Sequence, residues 1–340
     1  MTTMKNVTDF ARYLTRFFSE YLAGVRNLSK NTIMAYRDTF RLLFKFCKDE
    51  NKTPPEKLTI KRINETLIIR YLDWLQKERK CSISTRNQRL AGIHSFFRYL
   101  QAQEPEYLFL CRKILLIPFK KAPKTIVRHL TIEQTALLLK QPDRQAKKGR
   151  RDLVLLSVLY DTGARVQEVC DLRVKDIRLE RPPLITLTGK GCKSRYVPLM
   201  RNTANLLQIY MQENGLSRND KPDAPLFYSQ KYRALTRGGI THILQKYVDK
   251  ALCLTRDMPS KATPHVLRHS KAVHLLQAGI NIIVIRDIMG HTSVKTTEMY
   301  TKVDMETKRE ALEKSYTDIV SEELPDWNRD EKLLDFLQST

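Results

Sequence analysis

Between Glu104 and Arg128 the regular recurrence of apolar residues lapses, prolines stand at Pro105, Pro118 and Pro123, and Lys120, Lys121 and Lys124 crowd together. That composition predicts a basic, extended linker, since proline does not fit helix interiors or central strands and like charges repel one another. The lapse splits the chain, so each side must build its own core. With 340 residues, of which 42% are hydrophobic, the chain exceeds what one core usually organises and holds material for two. The divisions read from the sequence are a helical domain over residues 1–104, the linker over 105–128, a second domain over 129–320 and a tail over 321–340. The tail carries a short amphipathic segment, Lys332 to Leu337.

Before the linker the pattern is helical. Phe10, Leu14, Phe17, Phe18 and Tyr21 recur at steps of three and four until Gly24 stops the run. A second helix begins after Ser29 and carries Tyr36, Phe40 and Leu43; a third carries Leu67, Ile68, Tyr71, Leu72 and Leu75; a fourth carries Leu90, Ile93, Phe97 and Leu100. A bundle of about four helices is expected. Arg37, Arg41, Arg86, Arg89 and Arg98 fall on the sides read as exposed, either as solvated faces or as a phosphate-contacting surface. After the linker, Thr131 and Glu133 can open a helix, and further helices are interrupted by strand-like runs at Leu184 to Thr188 and Tyr196 to Leu199. The fold class expected for the whole is mainly α with a small antiparallel β-sheet, an α+β arrangement.

Charge narrows the partners. Lys plus Arg number 60 against 37 Asp plus Glu, a net charge of +23 that favours a polyanion, nucleic acid first, although membrane-surface and ribosome-associated proteins share such a balance. The six cysteines, Cys47, Cys81, Cys111, Cys170, Cys192 and Cys253, show no close pairing, which argues against a zinc site and a disulfide framework and fits a reducing compartment. The N-terminus lacks the charged flank and apolar run of a secretory signal, and no segment reaches the roughly 18 apolar residues of a membrane span. A cytoplasmic protein is the reading.

Four elements carry groups suited to phosphate chemistry. In Thr263-Pro-His265-Val-Leu-Arg268-His269, Thr and Pro open a helix that Gly279 closes, and His265 and Arg268 share a face near its N-terminus, where unpaired N–H groups favour an anion. In Ile285-Arg286-Asp287-Ile288-Met289-Gly290-His291, Gly290 ends an apolar helix, and the next helix carries Tyr300. By itself Tyr300 reads as an ordinary packed tyrosine. In Asp161-Thr-Gly163-Ala-Arg165-Val-Gln-Glu168, a glycine turn delivers Arg165 to a helix start; it can bind phosphate with both guanidinium arms or pair with Glu168 one turn on. In Ile185 to Leu199, a Gly189-Lys190-Gly191 turn joins two strands and holds Lys190 at a hairpin tip, with Lys193 and Arg195 close behind as further candidate DNA contacts.

In this order the four elements resemble the catalytic domain of the tyrosine recombinases, the phage integrase-like family that includes Xer-type and transposon-borne enzymes. The matching text is TGARVQEVCDL, GKGCKSRYVPL, HVLRH and IMGHTSVKTTEMY, with Arg165, Lys190, His265, Arg268, His291 and Tyr300 in sequence and the last two nine positions apart. The match spans roughly residues 125 to 315, and the N-terminal helices look like the family's core-binding domain by pattern and placement.

The resemblance implies an enzyme that cuts and rejoins double-stranded DNA through a covalent 3′-phosphotyrosine bond, without metal or nucleotide cofactor. It implies Tyr300 as nucleophile, Arg165 and Arg268 as the charge clamp, His291 as a further hydrogen-bond donor, His265 as base and Lys190 as acid, with Lys193 the alternative if the hairpin register differs. Glu168 aligns with a supporting acidic residue, and His269 and His274 read as structural. The implied assembly is a homotetramer on two DNA sites, nucleoid-associated in the cytoplasm, with the tail helix exchanged between subunits or docked on its own. Integration, excision or transposition of a mobile element is the expected role. Xer-like dimer resolution, a nicking and closing enzyme of the type IB topoisomerase kind, and a non-catalytic DNA-binding protein are the alternatives.

Overall fold

The computed structural model describes residues 8–122, 128–189, 191, 193–216, 220–229 and 233–291. The chain divides into two compact units, Met1–Lys124 and Thr125–Thr340.

The first unit is helical. Its elements are α1 (Asp9–Arg16), which runs on into a π-helical stretch Phe17–Val25, then α2 (Lys30–Asp49), α3 (Glu65–Lys77), α4 (Ile83–Gln103) and α5 (Leu108–Leu115). The starts follow local chemistry: Thr8, Ser29, Asn64 and Ser82 each accept a hydrogen bond from a backbone N–H of the first turn. Gly24 does not end the first run, which passes through it to Val25 in the wider π-helical winding. The core is aromatic. Phe96 meets Phe10, Phe17 and Phe40 with ring centroids 5.5, 5.4 and 5.4 Å apart in edge-to-face contact. Gly92 lets α4 approach α2, since a Cβ there would stand 3.2 Å from both Thr39 Oγ1 and Tyr36 Cδ1.

Two expectations change here. The segment after Glu104 is not extended throughout, because α5 occupies Leu108–Leu115 and buries Cys111 and Ile114 in the first unit's core, with Ile117 beyond it. Its prolines lie outside the helix, and the apolar residues between them have a groove to fill. Asn87 pins its end by accepting from the Lys120 backbone N–H (3.1 Å) and donating to the Lys120 carbonyl (2.7 Å). Arg86, expected on an exposed face, is 4% exposed and donates to the Pro118 carbonyl at 3.3 Å. Arg89 is half-buried and donates to the Ala35 carbonyl at 2.9 Å. Both arginines hold elements together, because α4 is covered on the side from which they project. Arg37, Arg41, Arg98, Lys120 and Lys121 are exposed, and Lys124 lies outside the described residues.

The second unit is α+β. It holds α6 (Ile132–Lys140), α7 (Lys147–Thr162), the short α8 (Val166–Cys170), strands β1 (Ile177–Arg178), β2 (Leu184–Thr188) and β3 (Ser194–Pro198), then α9 (Arg201–Glu213), α10 (Arg237–Leu252), α11 (Pro264–Gln277) and α12 (Ile282–Met289). Thr131 opens α6 with a reciprocal cap in which Gln134, rather than Glu133, bonds back to its N–H. The sheet is antiparallel in the order β1-β2-β3, with Ile177 opposite Ile185 and Ile185 opposite Val197, so one face feeds the core. α7 threads this core, with Leu153 to Leu159 mostly buried, and carries the buried acids Asp152 and Asp161.

Candidate active site

Glu168 is the centre of the site, and its side chain is 2% exposed. α7 ends at Gly163, whose left-handed backbone (φ 57°) turns the chain so that Arg165 starts α8. One turn on, the Glu168 carboxylate accepts from the Arg165 backbone N–H (2.8 Å) and from Arg165 Nη1 (2.9 Å). From β3, Arg195 reaches the same carboxylate with both arms, at 2.9 and 2.8 Å. Burial alone would raise the Glu168 pKa, but the bonds from Arg195 and Arg165 and the charge of Arg195 hold it down at about 2.

The second feature is the C-terminus of α12. Gly290 is left-handed (φ 62°), and the His291 N–H bonds back to the Arg286 carbonyl (3.0 Å), the wrap that closes a helix. Carbonyls of successive residues there accept from three guanidiniums: Ile288 from Arg195 Nε (2.8 Å), Met289 from Arg268 Nη2 (2.5 Å) and Gly290 from Arg165 Nη2 (2.9 Å). Cations are favoured at this end of a helix by its unpaired carbonyls and dipole. Arg268, 2% exposed, also donates to the Gly163 carbonyl at 2.6 Å, so α11 ties the end of α7 to the end of α12.

The histidines face these cations. His291 has its pKa pushed down to about 4 by burial and by the charges of Arg268, Arg165 and Arg195. Partial desolvation, then Arg268 and Arg165, lower that of His265, whose side chain is exposed on the first turn of α11. Both are therefore neutral at pH 7, able to give one hydrogen bond and to accept another. His269 packs its ring 4.0 Å from that of His265 and is pushed down to about 4, chiefly by burial. His274 is held between the Leu130 carbonyl and the Tyr160 hydroxyl, each at 2.9 Å.

Thus Arg165, Glu168, His265, Arg268 and His291, from three separated stretches of sequence, gather around the ends of α7 and α12. Lys190 and Tyr300 lie outside the described residues. The hairpin expected around Lys190 is present on either side of it: β2 and β3 pair from Leu184–Pro198 to Thr188–Ser194, and the Gly189 N–H bonds to the Lys193 carbonyl at 2.9 Å. Gly189 comes so close to Glu168 that a Cβ would meet Oε1 at 3.0 Å. Lys193 is exposed. Arg195, expected to touch DNA, is 14% exposed and commits its guanidinium to Glu168 and the Ile288 carbonyl. Sequence reading missed that pairing. The one signal for it is the alternation of β3, which puts Arg195 and Val197 on the same face, with Val197 in the core.

Among the described residues no group of His, Cys, Asp and Glu is arranged to hold a metal ion, and no helix is long and apolar enough to cross a membrane.

Residues 128–307 match the phage integrase family, and residues 15–104 match the phage integrase N-terminal SAM-like domain. Over 337 residues the chain is 35% identical to a putative integrase/recombinase, y4rC, of Sinorhizobium fredii, spanning 99% of this chain and 100% of the relative. It is 30% identical over 307 residues to tyrosine recombinase XerC of Pelobacter propionicus, spanning 88% of this chain and 94% of that one. A crystal structure of XerH site-specific recombinase bound to palindromic difH substrate, a post-cleavage complex, shares 27% identity, with a TM-score of 0.66 over 84% of this chain and 80% of its own.

Proposed function

The chain belongs to the phage integrase family of tyrosine recombinases, enzymes that cleave and rejoin DNA at specific sites, and from that premise we propose that Tyr300 is its nucleophile. The Tyr300 oxygen attacks the scissile phosphorus, a P–O(tyrosine) bond forms, and the bond from phosphorus to the 5′ oxygen breaks, leaving a 3′-phosphotyrosine and a free 5′ hydroxyl. Neutral His265 takes the phenol proton, and the Lys190 ammonium gives one to the departing 5′ oxygen. In the rejoining step the 5′ hydroxyl of the partner strand attacks the phosphotyrosine and the proton transfers run in reverse. Arg165 and Arg268 share the charge that gathers on the nonbridging oxygens, and His291 donates a further hydrogen bond. No step calls on a metal or a nucleotide.

The observation that carries this reading is the convergence of Arg165, Arg268, His265 and His291 on one helix end, with Tyr300 nine residues beyond His291. A nicked suicide duplex, which loses its 5′ fragment and so cannot be resealed, tests it. The wild-type protein is expected to form a covalent complex that Tyr300→Phe does not, while Arg165→Ala binds the duplex and fails to cut. Undiminished trapping in Tyr300→Phe would overturn the assignment.

The setting we propose is integration, excision or transposition of a mobile element, in keeping with the full-length likeness to a protein described as an integrase/recombinase. Residues 1–104 serve as the core-binding domain, with Arg37 and Arg41 toward phosphates; 105–128 lead into the catalytic domain 129–320, and 321–340 supply a helix exchanged within a tetramer on two DNA sites. A net charge of +23 supports residence on the nucleoid. Recovery of recombinant junctions from cells tests the setting: junctions at element ends support it, and products confined to chromosome or plasmid dimers would replace it with dimer resolution.

A further inference from the structure

The Arg195 side chain is 14% exposed. Its three contacts are all internal and all bear on groups the reaction uses. Both terminal nitrogens go to the two oxygens of Glu168, at 2.9 and 2.8 Å, and Nε goes to the Ile288 carbonyl at 2.8 Å. Glu168 in turn holds Arg165 by its backbone N–H and by Nη1, leaving Nη2 to reach the Gly290 carbonyl at 2.9 Å. The result is a closed ring of contacts: β3 to α12 through Arg195, α12 to α8 through Arg165, and α8 back to β3 through Glu168. His291 follows directly on the helix end that the ring grips.

We propose that Arg195 is a positioning residue for strand cleavage, fixing Arg165 and the His291 end of α12 through Glu168 and the Ile288 carbonyl rather than touching DNA itself. This rests on the assignment of Arg165 and His291 to the scissile phosphate. The physical need is plain. An arginine on a short helix has several torsions to settle, and a phosphate-binding guanidinium accelerates a reaction to the extent that it is already in place before charge develops. A planar guanidinium is the only side chain that fills this position, because it gives two parallel bonds to a carboxylate and keeps a third donor for a carbonyl on another element. Lysine offers a point charge without that fork. Space is equally specific: a Cβ on Gly290 would lie 2.8 Å from Arg195 Nη1 and 3.0 Å from its Cδ and Cζ, so the guanidinium is seated against the bare backbone of the α12 end.

Two variants separate the positioning role from a DNA contact, Arg195→Lys by cleavage and the neutral pair Glu168→Gln with Arg195→Gln by binding. Bound across a salt series to an intact duplex, with Tyr300→Phe in both proteins to prevent cutting, the neutral pair should keep the parent's dependence of log K on log salt, whereas loss of a phosphate contact would lower that slope by about 0.9. Single-turnover cleavage of the nicked suicide duplex by Arg195→Lys should fall about 100-fold, the penalty expected for a catalytic group displaced by about an ångström. In the neutral pair the His291 ring should also titrate at a higher pH by NMR, since Arg195 is among the charges that depress it. A lower salt slope in the neutral pair, or wild-type cleavage in Arg195→Lys, overturns the proposal.

Should Arg195→Lys not fold, the neutral pair Glu168→Gln with Arg195→Gln avoids stranding a buried charge, and wild-type cleavage there is equally decisive against it. Tyr300→Phe and wild type run alongside. No covalent complex with wild type, or an undiminished one with Tyr300→Phe, removes the underlying reading of the site, whereas normal trapping by wild type and by Arg195→Lys removes the Arg195 proposal alone.

Discussion

The two units bury different things. The first packs Phe10, Phe17, Phe40 and Phe96 ring against ring, and no acidic residue is buried among its described residues. The second buries three carboxylates among its described residues. Asp152 takes Arg151 at 2.6 Å and the Tyr247 hydroxyl at 2.9 Å, Asp161 takes the Met200 N–H at 3.0 Å and Lys271 at 3.3 Å, and Glu168 takes Arg165 and Arg195. Aromatic packing is cheap to satisfy and is held by area and shape. A buried ion pair must first offset desolvation, so it contributes little net stability and is explained better by what it holds in place. The difference teaches that the second unit gives up some of its core to fix guanidiniums, and the first has no such obligation.

The largest expected effect that sharpens this contrast is in the first unit. Phe17→Ala opens a hole in the centre of the ring cluster and should cost about 3–5 kcal/mol, read as accelerated hydrogen exchange in peptides of α2 and α4 with those of α7 and α11 unchanged. Equal loss in both units would erase the distinction.

A smaller effect belongs to acid. His269 and His291 are pushed down to about 4 from the ordinary 6.5. Below pH 6.5 the unfolded chain takes up protons that these two folded rings refuse, so their contribution to stability is complete above 6.5 and drains away toward 4. Glu168, held at about 2 from an ordinary 4.5, keeps its contribution above 4.5 and loses it as the pH falls on toward 2. In the first unit, burial lowers His94 alone among the described histidines. Hydrogen exchange corrected for intrinsic rates should therefore show the second unit loosening first between pH 6.5 and 4; a steeper loss in α2 and α4 would break the comparison.

The smallest effect is at the surface. Arg41 pairs with Asp38 at 3.1 Å, but the two side chains are 77% and 49% exposed, so Arg41→Ala should change stability by no more than about 0.5 kcal/mol by urea unfolding. The same variant should still weaken DNA binding and flatten its salt dependence if Arg41 meets phosphate.

Much of this was legible because it is local. Ser29 and Thr131 cap helices where the sequence places a hydroxyl before an apolar run, and Gly163 and Gly290 end helices because a left-handed residue is needed to turn the chain. Leu184–Thr188 reads as a strand from its β-branched alternation. What escaped was set by distance along the chain. Arg165 and Glu168 are three residues apart and could be paired by inspection, but Arg195 lies 27 residues from Glu168 and 93 from Ile288, and nothing local distinguishes it from a surface arginine. Arg86 misled for the same reason, since what covers it is the Pro118 end of a segment whose prolines and lysines spoke for an extended linker. The candidate site was legible as a set of residue types. Its internal wiring was not.

The helix-ending glycines have a consequence for how such a site can change over time. At Gly163 a Cβ would meet Met289 Cε at 2.6 Å, and at Gly290 it would meet Arg195 Nη1 at 2.8 Å, while both residues also sit at positive φ. Each position is thus restricted by its own backbone, which strains any side chain placed there, and by a neighbouring side chain that would have to move aside. Relief of one restriction leaves the other in force, so no single neighbouring change opens either glycine to drift. A lineage carrying this platform can change the exposed faces of its helices by small steps, but the two glycine turns of the platform offer it few intermediate forms.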